Sequence, residues 1–246
     1  MNEHKNAIFI EGGRRLAIIR DKAIAALVAG ATPLDIDTLC DQLITKGGDY
    51  PSFKTVADYH HATCINVNDV VVHGMPTNVP FKAGDVVTVD VGLVHHGFHL
   101  DTSYTVQIPP HSKQVSRFLA AGQLSVAQAI SVIVPGRTVY DISKAMQEVI
   151  EQEGFTVIRD LTGHGLGKTL HEYPSIPCYA DLRSKKDVLK AGMVLAVEVM
   201  YTDGSHRLYQ GEDGWTLRTV DGSLSAMFEE SVLITQTGHQ ILTRIS

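Results

Sequence analysis

The sequence predicts a mixed α/β protein made of two similar halves, each a helix pair followed by antiparallel strands. Three observations carry this. Apolar residues recur at helical spacing over 11–29 and 116–134. A second, capped helix start follows each of these segments. Four runs rich in β-branched residues occupy 86–94, 98–108, 193–201 and 224–235.

The elements follow in order. From Glu11 to Ala29, the positions Leu16, Ile19, Ala23 and Leu27 give a helix one buried face. After Gly30, Thr32 supplies an N-cap, Pro33 the first helical position and Asp35 a first-turn acid. Ile36, Leu39, Cys40 and Leu43 form its inner face, and Gly47-Gly48 closes it. Residues 86–94 and 98–108 flank His95-His96-Gly97 and read as a hairpin.

The pattern then returns about 106 residues on. A helix over 116–134 precedes Thr138-Val139-Tyr140-Asp141-Ile142, which opens another helix presenting Ile142, Met146, Val149 and Ile150 before Gly154. Laying Thr32 on Thr138 superimposes Asp35 on Asp141, Ile36 on Ile142, Ile44 on Ile150 and Gly48 on Gly154, five identities in seventeen positions. Capping chemistry alone can generate similar helix starts, so the repeat is an expectation for the structure to test. Residues 193–201 and 224–235 supply the second strand pair, and the Gly-rich stretch between them, which holds Trp215, reads as turns and short strands. The halves are expected at about 10–108 and 116–235, within one domain spanning 1–246.

Composition narrows the function. The 246 residues are 44% hydrophobic and 20% charged, and a chain of this length buries roughly 70–75% of its unfolded surface without staples. A net charge of −6 with no basic stripe offers nothing to a phosphate backbone, so no nucleic-acid partner is expected. No apolar run approaches the ~20 residues of a membrane span. Met1-Asn2-Glu3-His4-Lys5 lacks the basic-then-apolar order of a signal peptide, which gives a cytoplasmic expectation. Cys40, Cys64 and Cys178 are odd in number and far apart, as reduced thiols are. Histidine is unusually abundant: of 12, six (His60, His61, His73, His95, His96, His99) fall within forty residues.

Asp90 stands in the middle of an apolar strand, where a lone carboxylate is expensive to bury. With the hairpin loop at His95-His96, Asp90 would face Asp101, and neither strand holds a Lys or Arg to offset the repulsion. A cation between them, or a shared proton, resolves the conflict. Glu198 lies between Val197 and Val199, and Glu229 and Glu230 follow Phe228. An exposed strand edge explains one such acid better than four. His164, within Leu161-Thr162-Gly163-His164-Gly165-Leu166-Gly167, adds an imidazole, which suits transition metals better than an all-oxygen cage. The rival reading of that run as a phosphate loop lacks a Lys-Ser/Thr ending or Rossmann spacing. His171 and His73 complete the candidate polar groups.

The ordered set His73-Gly74-Met75-Pro76, Asp90, Asp101-Thr102-Ser103, Gly163 to Gly167, His171-Glu172, Glu198 and Glu229 resembles the type I methionine aminopeptidases, from about residue 8 to the end. The resemblance implies the pita-bread fold, with a curved antiparallel sheet, two helix pairs and a pseudo-twofold axis. It implies two divalent metal ions per chain (Co, Mn, Fe or Zn), held by Asp90, Asp101, His164, Glu198 and Glu229, with Asp101 and Glu229 bridging. It also chooses Glu229 over Glu230. Glu198 would move the proton of the attacking water, His73 and His171 would contact the substrate amide and the oxyanion, and Tyr59, Cys64, Leu170 and Trp215 would line the methionine pocket. The span from His171 to Glu198 leaves no room for the large insertion of type II relatives.

The sequence departs from the family at Val199, where proline is common, at Leu170, at Met227 and at Leu100. The implied partner is a peptide or nascent chain with N-terminal methionine, handled by a monomer, with ribosome contact left open. Two alternatives stand beside it. One is a Xaa-Pro peptidase of the same fold, whose members usually carry an extra N-terminal domain, whereas the first helix here starts near residue 11. The other is a non-catalytic peptide-binding relative, which typically loses ligands, whereas all five are present.

Overall fold

A computed structural model describes residues 3–245; Met1, Asn2 and Ser246, the ends of the span expected as one domain, lie outside the described residues. Helix α1 (Glu3–Ala25) starts earlier than its apolar pattern because Phe9 is buried against Phe98, with ring centroids 5.0 Å apart. Helix α2 (Pro33–Lys46) begins under a capping box: Thr32 N donates to Asp35 Oδ2 (2.8 Å) and Asp35 N to Thr32 Oγ1 (3.2 Å). Strand β1 (Tyr50–Pro51) leads into a 3₁₀ turn at Ser52–Thr55, then β2 (Thr63–Val67), β3 (Val70–Val72), β4 (Val86–His95) and β5 (Phe98–Gln107).

In the second half, α3 (Lys113–Ser131) starts three residues before the expected point, because Ser112 Oγ accepts from Val115 N (3.1 Å) and caps it. Helix α4 (Val139–Gln152) sits under the Thr138–Asp141 capping box. Strands β6 (Thr156–Val157), β7 (Thr162–Leu166), β8 (Glu172–Pro177), β9 (Val194–Thr202), β10 (Leu208–Gln210), β11 (Leu217–Thr219), β12 (Ser225–Ile234) and β13 (His239–Ile241) follow. The repeat is structural: the same offset of about 106 carries Ala25 to Ser131, both bounds of α2 to those of α4, and β1 to β6. Gly48 and Gly154, which close the two capped helices, share φ of +81° and +80°.

The main sheet runs β1-β4-β5-β12-β9-β7-β8, with β2 added on β4, β6 on β9 and β13 on β12. Strands β10, β11 and β3 form a second small sheet. The core has two clusters, one centred on each half. Phe9, Leu16, Ile36 and Ile44 pack with Val87, Val89, Val91 and Leu93, while Phe118, Ile130, Ile142 and Met146 pack with Val197, Val199, Tyr201 and Phe228.

The hairpin register corrects one expectation. Its two-residue turn is His96-Gly97, both left-handed at φ +47° and +77°, so His95 faces Phe98 and Asp90 faces Ser103, not Asp101. The slip is two residues along the pairing. Because the pleat repeats every two, Asp90 and Asp101 stay on one face as diagonal neighbours.

The departure at Leu100 has its counterpart in α1. A Cβ at Gly12 would lie 2.6 Å from Leu100 Cδ1 and 2.9 Å from His95 Cβ, so the helix yields the space that the leucine fills. Gly12→Ala should therefore cost ~1–3 kcal/mol by overpacking, despite the ~1 kcal/mol that helix propensity returns. Equilibrium denaturation reads this directly, and an undiminished midpoint would show that Leu100 yields freely.

Candidate metal centre

Strand register builds the site. Cys64 faces Asp90, Asp90 faces Ser103, Ser103 faces Glu229, and Glu229 faces Glu198, so one rung crosses β2, β4, β5, β12 and β9. Asp101 lies two residues from Ser103 on β5, and His164 on β7 faces Ala196, two residues from Glu198. Period-two alternation thus aims four acids and one imidazole at the same side of the sheet. Glu230 points to the other side. There it accepts from Thr243 Oγ1 (2.6 Å) and Arg244 Nη2 (2.9 Å) and pairs with Arg20 Nη1 (3.5 Å), a closed structural network.

Ligand atoms of Asp101, His164 and Glu229 lie within 4.8 Å of one another, and His164 Nε2 is 3.9 Å from Glu198 Oε1. All five side chains are buried. Both carboxylate oxygens of Glu229 and Oδ1 of Asp90 are enclosed without a hydrogen-bond partner. Such orphaned anions are costly unless a cation meets them. Burial pushes Asp90 up to about 7. Asp101, Glu198 and Glu229 are held well above the usual carboxylate range by burial first and by each other's charge second.

Burial acts oppositely on the imidazole, lowering His164 to about 4 and keeping it neutral. Its Nδ1 lies 3.0 Å from Gly165 O, which assigns the proton to Nδ1 and leaves the Nε2 lone pair toward Glu198. The donor set, oxygen-rich with one neutral imidazole, fits a divalent transition metal.

The Gly-rich run around His164 is a strand rather than a phosphate loop. A Cβ at Gly163 would stand 2.6 Å from Ala196 O and 3.1 Å from Glu198 Cγ, and one at Gly165 would strike Tyr173 O. The missing side chains let β7 lie close against β9 and β8, which delivers His164 to the acids. Gly163→Ala should push β7 off Glu198 and weaken metal uptake by at least ~10-fold, read by calorimetry with Co²⁺. Unchanged affinity would show that the close approach is dispensable.

A cavity of about 180 Å³ opens over this cluster and is lined by the site residues expected from sequence: the four acids and His164, His73, His171, Tyr59, Cys64, Leu170 and Trp215. Tyr59 OH donates to Thr63 O (2.8 Å) and lies 3.2 Å from Cys64 Sγ, and the Tyr59 and Trp215 rings meet edge-on at 5.1 Å. His171 stacks edge-on to His164 with centroids 4.4 Å apart. His73 adopts a left-handed φ of +57°, and its carbonyl accepts from Thr216 Oγ1 (3.4 Å), next to Trp215. Desolvation lowers His73 and His171 below the ordinary histidine value, which favours the neutral ring in both.

Phe53, Val56, Val72, Leu161, Thr162, Met200 and Met227 complete the lining. The alternation that places Glu198 and Glu229 also places Met200 and Met227, so that signal lay in the sequence. Nothing local marks Phe53 and Val56, which arrive on and beside the 3₁₀ turn.

Comparison with known proteins places this geometry. Residues 9–236 match the model of metallopeptidase family M24. With the buried acid–histidine cluster, that match implies use of a divalent metal. The chain is similar to methionine aminopeptidase 1 of Bacillus subtilis (strain 168), 36% identical over 238 residues that cover 97% of this chain and 96% of the relative. It superposes on the crystal structure of methionine aminopeptidase from Thermotoga maritima with a TM-score of 0.96, at 38% identity, covering 100% and 98% of the two chains. Prolidase from Pyrococcus furiosus shares the fold at a TM-score of 0.80, but at 21% identity and over 65% of its length. The sheet and its two helix pairs are thus the pita-bread architecture, and the chain belongs to the methionine aminopeptidases of metallopeptidase family M24.

Proposed function

We propose that this protein removes the N-terminal methionine from peptides and nascent proteins by hydrolysing the first peptide bond. Two divalent ions would be held by Asp90, Asp101, His164, Glu198 and Glu229, with Asp101 and Glu229 shared between them. The observation that carries this is Glu229, whose two oxygens are buried and unpartnered on a rung between Asp90 and Glu198. The metal, when bound, supplies Lewis-acid polarisation and a more acidic water.

The chain's own groups do the rest. Glu198, made more basic by burial, accepts the proton of the attacking water and returns it to the leaving amine. Neutral His171 and His73 donate to the oxyanion and the substrate amide at the cavity mouth. The cluster of acids attracts the cationic α-amine. Tyr59, Cys64, Leu170 and Trp215, with Phe53 and Met227, form a wall of aromatic, sulfur and aliphatic groups that suits an unbranched thioether.

The full span 1–246 would act as one catalytic domain and as a monomer. A nascent-chain substrate makes the cytoplasm the working compartment and brings the protein near the ribosome. Among the described residues no helix is long and apolar enough to cross a membrane, and the charge of −6 supports no nucleic-acid partner.

The test is a panel of peptides followed by release of the free first residue. Met-Ala-Ser should be cleaved far faster than Met-Lys-Ser, because a bulky second side chain crowds the acids. Leu-Ala-Ser should be cut less well, though one methylene is worth only ~1–3 kcal/mol. Preferential cleavage of Ala-Pro peptides would assign a Xaa-Pro peptidase instead.

A further inference from the structure

The two half-sheets meet where β5 lies beside β12, and this seam is built differently from the rest. Strands β4 and β5 pair along their full length, and β9 and β12 pair from Ser225 to Leu233. Among the described residues, register pairing between β5 and β12 is limited to Ser103 opposite Glu229. Side-chain hydroxyls take the place of the ladder. Ser231 Oγ on β12 accepts from Asp101 N (3.1 Å) and donates to Asp101 O (2.7 Å). Thr102 Oγ1 on β5 donates to Glu229 O (2.9 Å) and accepts from buried Arg20 Nη1 (3.1 Å). Thr105 Oγ1 donates to Met227 O (2.6 Å) and accepts from Met227 N (3.0 Å).

Each stitch ends on the backbone of a cavity residue. Asp101 and Glu229 come from opposite halves, so a continuous ladder does not fix their separation. We infer that Ser231 and Thr102 are positioning residues that hold Asp101 and Glu229 at the spacing a shared cation requires. This rests on the two-metal reading above. Removing a hydroxyl would leave each half-sheet folded but free the seam, and the groups that both halves must contribute would lose their grip together.

Calorimetric titration of Co²⁺ into the metal-free chain tests this, alongside Ser231→Ala, Thr102→Val, Thr102→Ser and Ser125→Ala. Ser125 is a control: its buried hydroxyl donates to Met146 O (2.9 Å) within the packing of α3 and α4, away from the seam. Ser231→Ala and Thr102→Val should bind Co²⁺ ~10- to 100-fold more weakly. Thr102→Ser, which keeps the hydroxyl, should restore affinity, and Ser125→Ala should match wild type. Wild-type affinity in both hydroxyl-free variants, or equal weakening in Ser125→Ala, overturns the inference. Uptake of fewer than two ions by the wild-type chain overturns the two-metal reading itself, before any variant is compared. If Ser231→Ala does not fold, the two Thr102 variants decide alone.

Discussion

Replacing Glu198 by glutamine should lower kcat by at least the ~10²-fold typical of lost acid–base help. Glutamine keeps the shape of a side chain buried against Gly163 and His164, so the loss is of charge and basicity. The same change should stabilise the metal-free chain above neutral pH, because it removes one of the mutually repelling buried carboxylates. His171→Ala should also lower kcat, yet retain full metal content, since that ring lies at the cavity mouth rather than among the acids. Kinetics paired with metal analysis separates the two roles. An emptied site in His171→Ala would make His171 a ligand.

Metal removal should produce the second large effect, with a definite dependence on pH. In the metal-free chain burial pushes Asp90 up to about 7 from its ordinary 3.8, because it penalises the charged form. A raised folded value contributes stability that is full below about 4 and is lost as pH rises through 7, by up to ~1.4 kcal/mol per pH unit. Asp101, Glu198 and Glu229 shift in the same direction. His164 runs opposite: its value, lowered from 6.5 to about 4, contributes stability above 6.5 that is lost as pH falls toward 4. A bound cation offsets the repulsion among the carboxylates and needs His164 neutral, so the gain in Tm on adding metal should grow from pH 5 to pH 8. Differential scanning calorimetry of stripped and reloaded protein measures this, and a gain independent of pH would contradict the buried-acid account.

Local chemistry was the most legible part of the sequence. Thr32 with Asp35 and Thr138 with Asp141 announce their capping boxes because every atom of the motif lies within four residues. The four acidic strands were legible through apolar neighbours that forbid a lone charge. Most of what escaped depends on partners distant in sequence. The start of α1 is set by Phe9 meeting Phe98, whereas the hairpin register escaped for a local reason, His96 accepting a left-handed conformation beside Gly97. Short β2 and β3 and the glycine-bearing β7 carry no period of their own, and pairing makes them strands. The choice of Glu229 over Glu230 came from resemblance alone. Alternation gives it a physical cause, with Glu229 facing the cavity and Glu230 facing Arg20 and Arg244.

The buried rung of acids, as a metal centre that cleaves the bond after an N-terminal methionine, should be inert without its metal. Free methionine released from Met-Ala-Ser, measured on a chelator-stripped sample verified as metal-free and again after adding Mn²⁺ or Co²⁺, tests it most directly. No release is expected from the stripped protein, and turnover should return on reloading. Full release from the verified metal-free protein would contradict it.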